Sequence, residues 1–159
     1  MEKAWQDVLD KFHYGIYLVT VSSAEGPNGM IASWVTQCSH EPPLVAAAIR
    51  KSRLAHKQIL ESGGFGITVL PRESAGLIGR FKIPDWKKKF DGIRYSLSAG
   101  GLPVPDDCVG HLDFSLEGTV DVGDHTLFIV RIQSGAPGRA AGAGTLSTAD
   151  YRGVYRGSQ

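Results

Sequence analysis

The run "HLDFSLEGTVDVGDHTLFIVRI", residues 111 to 132, constrains the fold more than any other stretch of the chain. Two long β-rich segments meet at Gly123-Asp124, a two-residue connection that favours the tight turn of an antiparallel hairpin. Shorter β-type runs precede it. "GIYLVTVSS" ends at "AEGPNG", whose Gly26, Pro27, Asn28 and Gly29 read as a turn into a second strand, "MIASWVTQC". "EPP" closes that strand and "LVAAAIR" forms a third, with small alanines that admit close approach of another element or a ligand. "FGITVL" is a fourth, stopped by Pro71. Many short strands with close turn signals favour a closed antiparallel barrel over a doubly wound sheet.

Helices are few. In "KAWQDVLDKF" the residues Ala4, Trp5, Val8, Leu9 and Phe12 share one helical face, which predicts a lid on the core. Ser52 is placed to cap a short helix, "RLAHKQILES", that Gly63 and Gly64 terminate. Residues 72–93 read as mixed helix and loop, "SGAPGRAAGAGT" as a flexible loop over 135–145, and 146–159 as a C-terminal tail with two tyrosines. With 159 residues, the chain fits one domain that buries roughly two thirds of its unfolded surface.

Composition limits the partners. The net charge of +1 excludes a generally basic, nucleic-acid-coating surface, so any basic site is local. The acidic N-terminus and the absence of an apolar run of ~20 residues argue against a signal peptide or a membrane span, and predict a soluble, cytoplasmic protein. Cys38 and Cys108 are too few for a disulfide scaffold, form no C-x-x-C pair, and are expected as mostly buried free thiols. Cys108 and His111 resemble half a metal site, but His13, His40, His56 and His125 lack ligand spacing, so no metal is expected. "GGFGIT" precedes a strand instead of opening a helix and fails as a dinucleotide fingerprint.

Two stretches carry candidate chemistry. If strand 30–38 lies beside strand 44–50, the helix after Ser52 points its N-terminus toward the same end of the sheet, where backbone N–H groups and the helix dipole favour an anion. Lys51, Ser52, Arg53 and His56 add donors there and suit a phosphate; from spacing alone they read first as a solvated helix face, and phosphate binding needs further support. Asn28 to Thr36 offers polar groups for the edge of a flat heterocycle, with Met30 and Trp34 for its faces. "RFKIPDWKKKF" interleaves bases with Phe81, Trp86 and Phe90, a pattern compatible with single-stranded nucleic acid; without a basic balance or a recognition motif it reads instead as a mobile loop over the site that steers an anionic ligand or an acidic protein, or as solvated loop.

Taken together, "NGMIASWVTQCSHEPPLVAAAI", "SRLAHKQILESGGFGITVL" and "GDHTLFIVRI" resemble the flavin reductase-like family of FMN-binding split β-barrels. The opening "YGIYLVT" and the "EPP" turn bring the chain nearest to the flavoredoxin and NAD(P)H:rubredoxin oxidoreductase branch. The resemblance spans Tyr14 to the tail and implies a homodimeric, six-stranded antiparallel split barrel, mostly β, with one FMN per subunit that NADH or NADPH reduces. Carried over by position, Ala32, Ser33, Trp34 and Val35 line the isoalloxazine with Asn28, Met30 and Thr36 nearby; Lys51, Ser52, Arg53 and His56 hold the phosphate. His125 stands near the flavin and the incoming nicotinamide. Two departures are Val130, where the family usually has Gly and which would narrow the space beside the flavin, and Glu41, where Asp is common.

In such a protein the cofactor performs the redox chemistry, which accounts for the lack of a nucleophile motif or triad. Three readings follow. The chain is a flavin reductase serving free flavin or an oxygenase, an electron-transfer flavoprotein serving a rubredoxin-like partner, or a non-catalytic FMN- or tetrapyrrole-binding module.

Overall fold

The computed structural model describes residues 2–151. Their order is α1 (Glu2–Leu9), β1 (Tyr17–Val21), β2 (Asn28–Ala32), β3 (Val35–Ser39), β4 (Leu44–Arg50), α2 (Leu54–Ser62), β5 (Gly64–Val69), α3 (Leu77–Arg80), β6 (Tyr95–Leu97), β7 (Pro103–Pro105), β8 (Gly110–Val122) and β9 (His125–Pro137). One antiparallel sheet runs β2-β1-β5-β8-β9-β4-β3, and β6 pairs with β7 beside it.

The two edges of the large sheet, β2 and β3, are consecutive in the chain and joined by Ser33 and Trp34 alone. This closes the sheet into a barrel in which β2 and β3 form one split strand, so six strands make the wall. The single strand expected over 30–38 is therefore corrected: β2 pairs with β1, while β3 pairs with β4. At the break the Val35 N–H donates to the Ser33 carbonyl (3.0 Å), and the Ala48 N–H to that of Trp34 (2.9 Å). Both halves keep β-type sequence, and nothing in a period-two pattern records a change of partner.

Apolar residues on both faces of β1 and β2 explain their nearly continuous burial. Val19, Met30, Phe65, Phe128 and Val130 fill the barrel, and α2 closes it with Ala55, Gln58 and Ile59. Leu18 and Ile31 face outward onto Ile78, Phe81 and Phe90, which form a second core. Gly63 ends α2 in the left-handed conformation (φ 77°), with its N–H on the Ile59 carbonyl, as the sequence predicts. Ser52 is not the cap. Arg53 holds the N-cap position, and no side chain caps the helix.

The β8–β9 hairpin turns at Gly123 (φ 65°), with Val122 opposite His125. Each strand has 13 residues, so β9 runs past the expected end, and Gly135–Pro137 of the supposed flexible loop pair with residues 110–112. The rest of that segment is also tied down, because Thr145 bridges to Pro71 and the Arg72 N–H donates to the Gly144 carbonyl. The tail begins as structure: Leu146 is buried and a Ser147–Asp150 capping box follows it. Its second tyrosine lies outside the described residues.

Two further expectations change. The helix α1 forms, but Trp5, Val8 and Phe12 remain 51%, 62% and 54% exposed, so it is no lid on the core. A 3.6-residue period predicts an apolar face without saying what covers it. Cys108 is buried, whereas Cys38 on β3 is exposed.

Candidate functional site

Three segments meet at one end of the barrel: the β2–β3 break, the turn from β4 into α2, and the β8–β9 hairpin. The β4–β9 register sets Arg50 opposite His125, and the Lys51 N–H donates to the Asp124 carbonyl (2.9 Å). The ring of Trp34, 48% exposed, lies 4.8 Å from that of His125. Tyr14 approaches Trp34 from the other side at 6.3 Å.

His125 Nδ1 lies 2.6 Å from Asp124 Oδ1. This hydrogen bond, above all, holds the Asp124 carboxyl below its usual range. An ionised carboxylate only accepts, so the proton sits on Nδ1 and leaves Nε2 as the second functional atom of the ring. His56 is held differently. Its Nε2 is 2.7 Å from Thr126 Oγ1 and its ring meets Phe128 edge-on at 5.2 Å. Burial first, and the nearby Lys51 second, lower its pKa and favour neutral imidazole.

The sequence-derived residues divide between surface and scaffold. Trp34, Lys51, Ser52, Arg53, His56 and His125 gather around this end of the barrel. Asn28 is buried structure: its Nδ2 donates to Gln58 Oε1 and its Oδ1 accepts from the Gly29 N–H, both at 2.8 Å. Met30 and Ala32 point into the barrel core, so β2 presents backbone there in place of the Met30 side chain expected for a ring face. Ser33 and Val35 are half-buried at the break, and Thr36 is exposed with its hydroxyl on the Gln37 carbonyl. Val130 is fully buried in the core. Lys51 Nζ donates to the Gly123 carbonyl (2.7 Å) and pairs with the Asp121 carboxylate, tying the turn to the hairpin.

The 80–90 segment departs furthest from expectation. Phe81 and Phe90 are core residues, packed edge to face at 5.1 Å, and offer no open stacking surface. Lys87 pairs with Glu25 and Lys88 with Asp85. Lys89 alone turns inward, and burial, with Arg53 next, lowers its pKa to about 8. Sequence reasoning missed Asp124 and Tyr14 as neighbours of the site. Asp124 had a signal, its place in the "GDH" turn.

The donor set suits a phosphate monoester. The first turn of α2 has no side-chain cap and no acidic residue, and Arg53 at its start acts electrostatically on Lys89. Among the described residues no group of three or more His, Cys, Asp or Glu side chains is arranged to hold a metal ion, and no helix is long and apolar enough to cross a membrane.

Comparison with known proteins agrees with this architecture. Residues 9–158 match the model of the flavin reductase like domain. The chain belongs to the flavin reductase like family. It is 40% identical over 132 residues to the high molecular weight rubredoxin of Moorella thermoacetica, covering 80% of this chain but only 58% of that protein. It is also 36% identical over 124 residues to the NAD(P)H ferric-chelate reductase of Archaeoglobus fulgidus, covering 75% of this chain and 73% of that one. Nitrilotriacetate monooxygenase component B from Mycobacterium thermoresistibile superposes with a TM-score of 0.84 at 26% identity, over 99% of this chain and 84% of that one. The six-stranded split barrel is therefore the family's fold, and the break at Ser33-Trp34 is where this chain splits.

Proposed function

We propose that this flavin reductase like chain binds FMN at the meeting of the β2–β3 break, the 50–56 turn and the β8–β9 hairpin, and oxidises NADH or NADPH there. The observation that carries the reading is the Trp34–His125 ring pair standing beside the cationic start of α2. A bound flavin supplies hydride acceptance from nicotinamide and release of electrons to an acceptor. The chain supplies position, charge and proton control. Ser52, Arg53 and Lys51 hold the phosphate, with the uncapped N–H groups of α2; His56, kept neutral, anchors α2 to β9 through Thr126. Ala32, Ser33, Trp34 and Val35 border the ring system, with Asn28, Met30 and Thr36 setting the shape of that edge. His125 orients the nicotinamide through Nε2, its tautomer held by Asp124.

The residues 1–159 act as one domain in this reading and pair as a homodimer, supported by the exposed apolar faces of α1 and of Trp34. Free thiols at Cys38 and Cys108 fit a reducing, cytoplasmic setting. The acceptor is free flavin, an oxygenase component or a rubredoxin-like protein. The 40% identity to a high molecular weight rubredoxin favours the last, and the likeness to a monooxygenase component supports the second. The test is the absorption spectrum of the purified protein with added FMN, followed by anaerobic mixing with NADH and with NADPH. Bleaching of bound flavin by either is expected; a protein that binds FMN without bleaching is a binding module.

A further inference from the structure

Trp34 belongs to the two-residue link between β2 and β3, and its side chain stands half in solvent. Its carbonyl accepts from the Ala48 N–H (2.9 Å), which fixes the backbone but not the indole. A side chain so exposed changes rotamer on the picosecond to nanosecond scale unless its neighbours hold it. Two rings do so here. His125 lies 4.8 Å from the indole with the planes tilted by 39°, and Tyr14 lies 6.3 Å from it, tilted by 56°. Both separations fall in the range of attractive aromatic pairs, so the indole is held between a histidine of the hairpin and a tyrosine of the lead-in to β1.

Tyr14 precedes β1 and takes its station from the C-terminal segment Leu146–Asp150. The Tyr14 N–H donates to Thr148 Oγ1 (3.0 Å), and the Thr148 N–H returns a hydrogen bond to the Tyr14 carbonyl (2.8 Å). Two residues on, the Ile16 N–H donates to the Leu146 carbonyl (3.0 Å), and the Leu146 N–H donates to that of Leu70 (2.9 Å). The segment is thus threaded between the lead-in to β1 and the exit of β5, with the Leu146 side chain buried in the outer core. Asp150 locks its far end, accepting from the Ser147 N–H (3.0 Å) and pairing with Arg72 Nε (2.9 Å). Gly15 bridges to Ser147 in the same arrangement. A Cβ at that position would collide with the Tyr17 ring, so glycine lets residues 14–16 lie flat against the segment.

We propose that Tyr14 is a positioning residue for hydride transfer: it backs Trp34 and so keeps the indole on His125, and the segment Leu146–Asp150 holds Tyr14 in place. This deepens the flavin reading above and rests on it, since there Trp34 borders the ring system and His125 orients the nicotinamide. Tyr14 acts on the chemistry only through Trp34. Its removal leaves the cationic turn after β4 intact and widens the range of orientations open to the indole and the imidazole. The fraction of bound nicotinamide in a reactive geometry then falls, while flavin affinity stays level.

The experiment reads the indole and the reaction separately, in Tyr14→Leu and Tyr14→Phe. Time-resolved anisotropy of Trp34 is measured without flavin in a Trp5→Phe/Trp86→Phe background, where Trp34 is the single tryptophan. Anaerobic single-turnover reduction of bound FMN, by saturating NADH or NADPH, is measured in the otherwise wild-type chain. Expected in Tyr14→Leu is an added nanosecond depolarisation of Trp34 and reduction slowed about tenfold, with FMN affinity within about twofold. Tyr14→Phe keeps the ring and should restore both. Unchanged depolarisation in Tyr14→Leu overturns the proposal, as does faster depolarisation with an unchanged reduction rate. Loss of FMN affinity to the same degree as rate assigns Tyr14 to the fold alone and also overturns it. A wild-type protein that binds no FMN, or that neither nucleotide reduces, overturns the flavin reading before any substitution is made, and the proposal with it. Should Tyr14→Leu fail to fold, Thr148→Val withdraws the acceptor from the Tyr14 N–H and Thr148→Ser retains it. Slower reduction and faster depolarisation in Thr148→Val alone support the proposal, and equal behaviour of the two overturns it.

Discussion

His125 stands where hairpin, turn and strand break meet, and its chemistry follows from two neighbours: Asp124 fixes the proton on Nδ1, and Trp34 lies across its ring. Replacement by Ala removes Nε2 without opening the core, because the barrel interior is filled by Phe128 and Val130 from the other face of β9. The expected outcome is a roughly ten- to hundredfold slower anaerobic reduction of bound FMN, or roughly 1.4–2.8 kcal/mol of transition-state stabilisation. FMN affinity and the melting temperature should stay level. The cationic turn has a separate test, since neutralising Lys51 and Arg53 together should weaken FMN by about 2–4 kcal/mol and leave riboflavin nearly unchanged in fluorescence titration. His56 predicts a pH effect. Its folded pKa lies below the ordinary 6.5, so the unfolded chain binds its proton more readily, and its stabilising contribution, present above that value, is lost on acidification. Melting temperatures measured from about pH 7 to about pH 5 should therefore fall less steeply in His56→Gln than in the wild type. The "GDH" turn singled out His125 in the sequence, and it carried the signal for Asp124, its partner, that the sequence reading left unused. Which of three adjacent lysines enters the interior had no such signal, since that depends on Arg80, which donates to the carbonyls of Lys88, Lys89 and Asp91 across the loop.

Among the elements, the β5–β8 ladder leaves no room for a side chain where it begins. Gly64 starts β5, and a Cβ there would stand 2.4 Å from the Phe114 carbonyl oxygen, a backbone atom that cannot swing away. Gly64→Ala should destabilise the protein by about 1–3 kcal/mol in urea denaturation, through forced separation of β5 from β8. The two long strands of the hairpin and the helix ended by Gly63 were legible because turn chemistry and periodicity are local. The β2–β3 break was not: Ser33 and Trp34 lie within an unbroken β-type run, and only the competition of β1 and β4 for its two halves divides it. The same limit applies to β9, whose last residues read as loop by their glycine and alanine content but are paired with β8.

At the scale of the whole molecule, the unpartnered apolar surface predicts self-association. Trp5 and Val8 on α1, Phe12 just after it, Val120 and Val122 on the hairpin arm, and Trp34 are all exposed in the single chain. Light scattering of the flavin-loaded protein at micromolar concentration should give the mass of a dimer, and a monomer mass would remove that assembly from the proposed function. By itself the sequence determined the β-rich class, the hairpin, the position and end of α2, and the local collection of cations after β4, because turn geometry, side-chain period and charge spacing act over a few residues. Tertiary structure alone decided that β2 and β3 are edges of one closed sheet, that Met30 belongs to the core, that Lys51 ties to the hairpin, and that Lys89 is buried with its ammonium on the Gly29 carbonyl. Those outcomes depend on which distant strands and loops share a space, and each is settled by burial and by the need to hydrogen-bond buried polar groups, conditions that exist only once the barrel has closed.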